Sequence, residues 1–333
     1  MEKAPTTLRD YTKFRILRDM IDTVRKKAVF SRDYLIMVVD DATLRVFSST
    51  CNMFDLFQVR VYHLERLELD RKRYEATDAL YFISNSAASV DRLISDFAPG
   101  KKLQYGAVHL CFSGHVNEKL IKKMTSSKSL VERVQTFKEI NIDFGLFESN
   151  VFHFSMPDAV YLYNTPENDY RFSSYIEDVA YKLFTVCAIL LEKPHIQFQA
   201  GSKVAPLVAK ALERNLNGFF NKLRDEGSMR NPRATLLVLD RNIDLNAPML
   251  HDFSYQSLVF DLLDTDTQCT VHLSEKEKVR LDEADELWQR MKGMHLAEVL
   301  NNIKEEVAVF LSENKSQIGN KPKGQMELAD ISE

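Results

Sequence analysis

The sequence predicts an α/β fold: an open, mainly parallel sheet domain, then a second α/β domain, then the start of a mostly helical third. Three observations carry this expectation. Over the first 140 residues, short β-branched apolar runs alternate with amphipathic stretches, the signature of βαβ crossovers. A second series of helices and a buried strand, TLLVLD at 235–240, follows a loop region marked by Pro157, Asn164, Pro166 and Asn168. Beyond residue 250 the pattern turns almost wholly helical. The first domain is expected over residues 1 to about 143, and a second unit is expected to begin near FESNVFHF (147–154).

The elements follow in order. Phe14, Leu17, Met20, Ile21 and Val24 recur at helical spacing over 11–27. YLIMVVD (34–40) reads as a buried strand, and LRVFSS (44–49) as a short strand beside it. NMFDLFQ (52–58) reads as a short helix, then VRVYHL (59–64) and ALYFIS (79–84) as strands. Ser86 caps a helix with Val90, Leu93, Ile94 and Phe97 on one face, stopped by Pro99-Gly100. YGAVHLCFS (105–113) is a further strand. Helices are expected over about 117–124 and 129–137, with EINIDF (139–144) strand-like. In the later part, helices are expected over 173–191, 204–216, 254–263 and 285–313, before a polar tail from Glu313 to Glu333.

Composition excludes several classes. Lys and Arg number 44 against 48 Asp and Glu, a net charge of −4, so an overall basic footprint for nucleic acid is missing. Apolar residues at 45% are ample for packed cores. No apolar run approaches the ~20 residues that span a bilayer, and the first residues lack a signal-peptide core. Cys51, Cys111, Cys187 and Cys269 stand singly, without zinc or disulfide spacing, which fits a reduced, cytoplasmic protein.

Motifs for chemistry are weak. Neither a Walker motif nor GxGxxG follows the first strand, so no nucleotide cofactor is expected. Asp40-Asp41 after that strand resembles a phosphoacceptor's acidic pair, but the later strand ends, ISNS and CFSG, lack its partner aspartate and lysine. A strand-end turn with one carboxylate capping backbone amides is the simpler reading. His251-Asp252 and Asp240…Asp244 lack a nucleophile elbow, and His63, His109 and His153 lie in strand-like runs; no catalytic residue or metal site is assigned. Arg71-Lys72-Arg73, Lys101-Lys102 and Lys119…Lys128 form basic clusters, either solvated faces or a patch for an acidic partner. Leu120 and Met124 share a helical stripe after the strand bearing Phe112. Leu120 and Ile121 cannot both face the core, which sends one of them to a surface groove able to take a short peptide.

Longer stretches are more specific. LLVLDRNIDLNAPMLHDFSYQSLVFDLL (236–263) resembles the signature of the SM (Sec/Munc) family, regulators of SNARE-driven vesicle fusion. VVDDATLRVFSSTCNMFDL (38–56), ALYFISNSAASVDRLISDF (79–97), FKEINIDFGLFESNVF (137–152) and DELWQRMKGMHLAEV (285–299) resemble it too, in order. SSTCNM and EINIDF…ESNVF look most like the exocytic branch. The resemblance implies a non-enzymatic protein that binds a syntaxin-type SNARE and the assembled SNARE complex, recruited peripherally to membranes by these partners, without cofactor, nucleic acid or direct membrane insertion. The resemblance implies a domain 1 over 1–140, a first part of domain 2 over 141–245 and a first part of a mostly helical domain 3 over 246–333; family members are about twice as long, so the chain is expected to correspond to an N-terminal half whose second domain lacks sheet strands. By position, the syntaxin cleft would use Asp40, Leu44, Arg45, Asn52 and Glu65; Asn52 replaces a lysine common in the exocytic branch, removing a charge. A pocket for a syntaxin N-terminal peptide would use Phe112, Leu120 and Met124. Asp240 and Arg241 are expected to form an internal ion pair joining domains 2 and 3. The rival classes are an α/β phosphotransfer or hydrolytic enzyme and a structural subunit of a tethering complex.

Overall fold

A computed structural model describes residues 4–313 except 31–33, 99, 101, 168, 224–231, 267–268, 275–276, 282 and 284. The polar tail beyond Glu313 and the expected stop at Pro99 lie outside the described residues. The chain divides into two compact units, Met1–Ile243 and Asp244–Glu333.

The first unit opens with α1 (Leu8–Phe14), which Thr7 and Asp10 cap reciprocally. It runs through a π-helical stretch, Arg15–Asp22, into α2 (Thr23–Lys26). Next come β1 (Leu35–Val39), α3 (Asp41–Thr50), α4 (Met53–Gln58), β2 (Val61–Arg66) and β3 (Tyr74–Ile83). They are followed by α5 (Ala87–Asp96), β4 (Tyr105–Phe112), α6 (Glu118–Thr125), α7 (Lys128–Val131) and β5 (Val134–Glu139). All five strands are parallel, in the order β2-β1-β3-β4-β5. One face packs Met37, Val39, Leu80 and Phe82 against Ile16, Met20, Val46 and Phe47. The other packs Ile36, Val38, Tyr81 and Phe112 against Val90, Leu93, Leu120 and Met124.

Two expected elements change type. LRVFSS lies in α3, because Asp40 accepts from the Thr43 N–H while Thr43 returns a bond to the Asp40 N–H, a closed capping box at the strand end. Val46 and Phe47 are then buried on one helix face. The expected helix over 129–137 ends after α7, and the rest pairs with β4 as the edge strand β5. Residues 140–144 form no strand, although Ile140, Ile142 and Phe144 alternate into the core.

The β2–β3 connection has no helix. Residues 67–73 run as a strap from the end of β2 to the start of β3, with Leu67 packed in the α5-side core. At the start of β3 the register slips, with Tyr74 opposite Tyr105 but Asp78 opposite Ala107. Gly106 sits against this bulge. A Cβ there would lie 2.6 Å from the Glu75 carbonyl oxygen and 2.8 Å from the Phe30 ring. Gly106→Ala is therefore expected to cost roughly 2–3 kcal/mol, measured as a fall in denaturant midpoint. Adding Phe30→Ala should recover only part, because the backbone carbonyl stays.

The remainder of this unit holds the hairpin β6 (Gly145–Glu148) and β7 (Val151–His153), then α8 (Ala159–Tyr163) and α9 (Tyr170–Leu190). β8 (His195–Phe198), α10 (Ala205–Leu223) and β9 (Thr235–Val238) complete it. β8 and β9 form a two-stranded parallel sheet in which no further described strand takes part. Phe172, Phe184, Val208 and Leu212 form the α9–α10 core. Asp240 accepts from Ser202 Oγ at 2.5 Å, Tyr163 Oη at 3.0 Å and the Asn242 N–H at 3.0 Å. Those bonds tie the strand end to its own unit.

The second unit holds α11 (Tyr255–Leu262), the hairpin β10 (Thr270–His272) and β11 (Lys278–Arg280), α12 (Glu286–Met291) and α13 (Leu296–Glu313). The single helix expected over 285–313 is broken between Met291 and Leu296, around Gly293. Trp288 and Met291 are buried there. No helix among the described residues is long and apolar enough to cross a membrane.

Candidate functional site

In an open parallel sheet, ligands bind beyond the carboxyl ends of the strands where the strand order reverses. Here that point lies between β1 and β3, and Asp40 fills it. Its Oδ2 accepts from the Ser84 N–H at 2.7 Å, Ser84 Oγ at 2.6 Å and Ser89 Oγ at 2.7 Å. Its Oδ1 accepts from the Thr43 N–H at 2.9 Å and Thr43 Oγ1 at 2.8 Å. Burial raises the carboxyl's pKa, but these bonds outweigh it and hold the group below its ordinary value. The donors that a phosphate would need are spent on the protein's own carboxylate. Asp41 pairs instead with Arg66.

Asp40, expected in the partner cleft, lies beneath the surface of this chain. It is 2% exposed and positions α3 from inside. The other expected cleft residues divide. Arg45 is exposed, and beside it His153 is held below its ordinary pKa by burial and then by the Arg45 charge. Leu44 is half-buried against the α1-side core. Glu65 is half-buried and accepts from Tyr105 Oη at 3.0 Å. Asn52 is exposed, and its role is local: its Oδ1 accepts from the Asp55 N–H at 3.0 Å, while Asp55 accepts from the Asn52 N–H at 2.9 Å. Asparagine is among the best N-caps and a lysine at this position would forfeit that bond.

The residues of the expected peptide pocket are also buried. Phe112 is 0% exposed, and Leu120 and Met124 are buried with it in the core. α6 turns this face inward because its apolar stripe completes the layer over β4. The apolar groups that reach solvent nearby are Ile121 on α6 and Phe137 on β5. The Phe137 ring centroid stands 5.5 Å from that of Phe112.

One exposed apolar surface of the sheet domain escaped the sequence reading. Met53, Phe54 and Phe57 of α4 and Tyr62 of β2 all face solvent, Phe54 at 66%. The rings continue round the sheet edge: Phe57 lies 6.2 Å from Tyr62, which stacks on Tyr34 at 5.6 Å. Tyr34 meets His63 edge-on at 5.9 Å, and His63 lies 5.7 Å from Tyr74. The signal was present. Four large apolar groups, Met53, Phe54, Leu56 and Phe57, crowd one short helix, more than a single face can bury; Leu56 takes the core. An aromatic strip of this kind marks an interaction surface.

Groups with reactive potential are otherwise engaged. Burial pushes the Cys51, Cys111 and Cys187 thiols up to about 12, far from reactive thiolates. Asp252 accepts from Ser254 and Ser257, building a turn, and His251 pairs with Asp261 at 3.1 Å. Among the described residues no group of three or more His, Cys, Asp or Glu is placed to hold a metal.

Comparison with known proteins gives these surfaces a context. The Sec1 family model matches residues 35–333. The chain belongs to the Sec1 family. It is 33% identical over 324 residues to the protein transport protein sec1 of Dictyostelium discoideum, covering 94% of this chain and 53% of that relative. It is 26% identical over 327 residues to the SNARE-interacting protein KEULE of Arabidopsis thaliana, covering 92% and 49%. The chain thus spans about half the length of these curated relatives. Among solved structures, it resembles the Unc18 chain of the Unc18–syntaxin 1 complex of Monosiga brevicollis, with a TM-score of 0.79 at 25% identity, covering 97% of this chain and 57% of that one. Sly1p in complex with an N-terminal peptide of Sed5p shares the fold, with a TM-score of 0.79 at 20% identity and coverage of 98% and 57%. As a Sec1 family member, the chain carries the family's mixed α/β fold with a mainly parallel sheet.

Proposed function

We propose that this protein binds a syntaxin-type SNARE and regulates vesicle docking and fusion in protein transport, without making or breaking covalent bonds. The observation that carries the reading is the family match over residues 35–333, on a chain whose sheet crevice is filled by Asp40 and whose aromatic strip faces solvent. The similar structures of the Unc18–syntaxin 1 complex and of Sly1p with a Sed5p peptide support it. In this reading the contact surface comprises Arg45 and the Met53, Phe54, Phe57 and Tyr62 strip, with Asp40 and Asn52 holding α3 and α4 in place. An N-terminal peptide of the partner docks at Phe137 and Ile121 over the buried Phe112. The assembled SNARE complex is a further partner, and membrane association is peripheral, through the SNAREs. Regulation arises because contact energy favours the SNARE conformation that fits. The three-part division at 140 and 245 belongs to the same reading.

Calorimetry with the cytoplasmic part of a syntaxin-type SNARE tests it. Phe54→Ala/Phe57→Ala is expected to weaken binding by roughly 30-fold or more, as for aromatic anchors. Arg45→Glu should slow association and flatten its salt dependence. Both variants alter exposed side chains, so melting temperature should hold. Absence of binding by the unaltered chain overturns the function; unchanged affinity in both variants overturns the surface.

A further inference from the structure

One cavity lies apart from these surfaces, between the β2–β3 strap and the last turn of α5. It measures about 890 Å³ and is lined by Arg71, Arg73, Arg92, Lys102, Asp70 and Gln104, among others. The fold brings here two basic clusters distant in sequence, at 71–73 and 102, and adds Arg92 of α5. The walls are fixed. Arg71 forks onto Asp96 with two bonds of 2.8 Å, and Tyr81 Oη donates to the same carboxylate at 2.7 Å. Gln104 Nε2 donates to the carbonyls of Arg71 and Lys72 at 3.1 and 2.6 Å.

The charges inside do not cancel. Asp96 is neutralised by Arg71, and Glu68 is paired, at the long distance of 3.9 Å, with Arg66. Arg73, Arg92 and Lys102 are exposed and meet no carboxylate among the described residues. Asp70 is the one unpaired acid of the lining among the described residues. Arg71, its charge paired with Asp96, still offers donors at the floor: its side chain is 7% exposed, and its Nε and Nη1 find no hydrogen-bond partner among the described residues. A concave site with an excess of guanidinium groups suits phosphate oxygens, which take the arginine fork in two parallel bonds. Asp70 and Gln104 supply acceptors for hydroxyl groups, which a bare phosphate lacks.

We infer that this cavity binds a phosphorylated polyol of the inositol phosphate kind, with Arg73, Arg92 and Lys102 on the phosphates and Asp70 on a ring hydroxyl. The same chemistry is offered by a soluble inositol phosphate and by an inositol lipid headgroup. Binding of this class is independent of the SNARE surface, since no residue is shared.

The test uses the full chain and two probes. Inositol hexakisphosphate is titrated by calorimetry, and flotation is measured with vesicles carrying phosphatidylinositol 4,5-bisphosphate or, at equal surface charge, phosphatidylserine. Arg73→Gln/Arg92→Gln/Lys102→Gln is expected to weaken soluble binding at least about tenfold, with an unchanged melting temperature. A preference for inositol lipid over phosphatidylserine assigns the site to the membrane; soluble binding without it assigns the site to the free phosphate. Equal flotation with both lipids together with no soluble binding, or a triple variant that binds like the unaltered chain, overturns the inference.

Discussion

Replacing Asp78 by alanine is expected to lower the stability of the first unit by roughly 3–5 kcal/mol, at about 1–3 kcal/mol for each donor left without its acceptor. Asp78 and His109 are both 0% exposed on neighbouring central strands. The Asp78 carboxylate accepts from the Val29 N–H at 2.9 Å and the Phe30 N–H at 2.7 Å, and pairs with His109 Nε2 at 3.2 Å. His109 Nδ1 meets Thr136 Oγ1 at 3.0 Å, so one network spans β3, β4 and β5 and fixes the segment after α2. Alanine leaves two part-buried N–H groups and a buried imidazole without their acceptor. Against a total of about 5–15 kcal/mol for a domain, that loss is large. Equilibrium unfolding in urea measures it. A change below about 1 kcal/mol would show that water replaces the carboxylate at little cost.

Asp40→Asn is expected to cost roughly 3 kcal/mol at pH 7, since an amide offers one acceptor atom where the carboxylate serves five donor groups. The effect has a pH signature. The folded-state pKa of Asp40 lies below its ordinary value of 3.8, so its charged form stabilises the fold fully above that value. This contribution fades as pH falls through the lower folded value. The gap between the unaltered chain and Asp40→Asn should therefore be widest near neutrality and close below about pH 4. A gap independent of pH would refute the charge argument. SNARE affinity should fall as well, although Asp40 touches solvent hardly at all, because α3 carries Arg45 from this anchor.

The sheet domain was legible where burial is two-sided. β1, β3 and β4 read directly, since LIMVV, ALYFI and YGAVHLCF have few polar breaks. Ser86 as a cap was legible for a local reason, its side chain accepting from the Ser89 N–H. α3 was not, because Leu44, Val46 and Phe47 mimic a strand, and the capping exchange between Asp40 and Thr43 decides otherwise. β5 was missed because an edge strand buries little: Thr136 turns in and Phe137 turns out, a pattern too short to separate from a helix. The candidate site was half legible. Position along the family pattern located α3 and α4, but which side chains face outward depends on packing, and that sent Asp40 and Phe112 inward and brought Phe54 and Phe57 to the surface.

The two-stranded β8–β9 sheet has a practical consequence. Neither HIQF nor TLLV carries the lysine or proline that deters edge-to-edge association, and Phe198 and Leu237 stand about half exposed beside the free backbone groups. With no further described strand along it, such a ribbon offers its edges to an extended polypeptide. Handled by itself at high concentration, this chain would tend to cloud and stick, and dilute, cold, well-salted storage would preserve it less effectively than a companion strand laid along the bare flank.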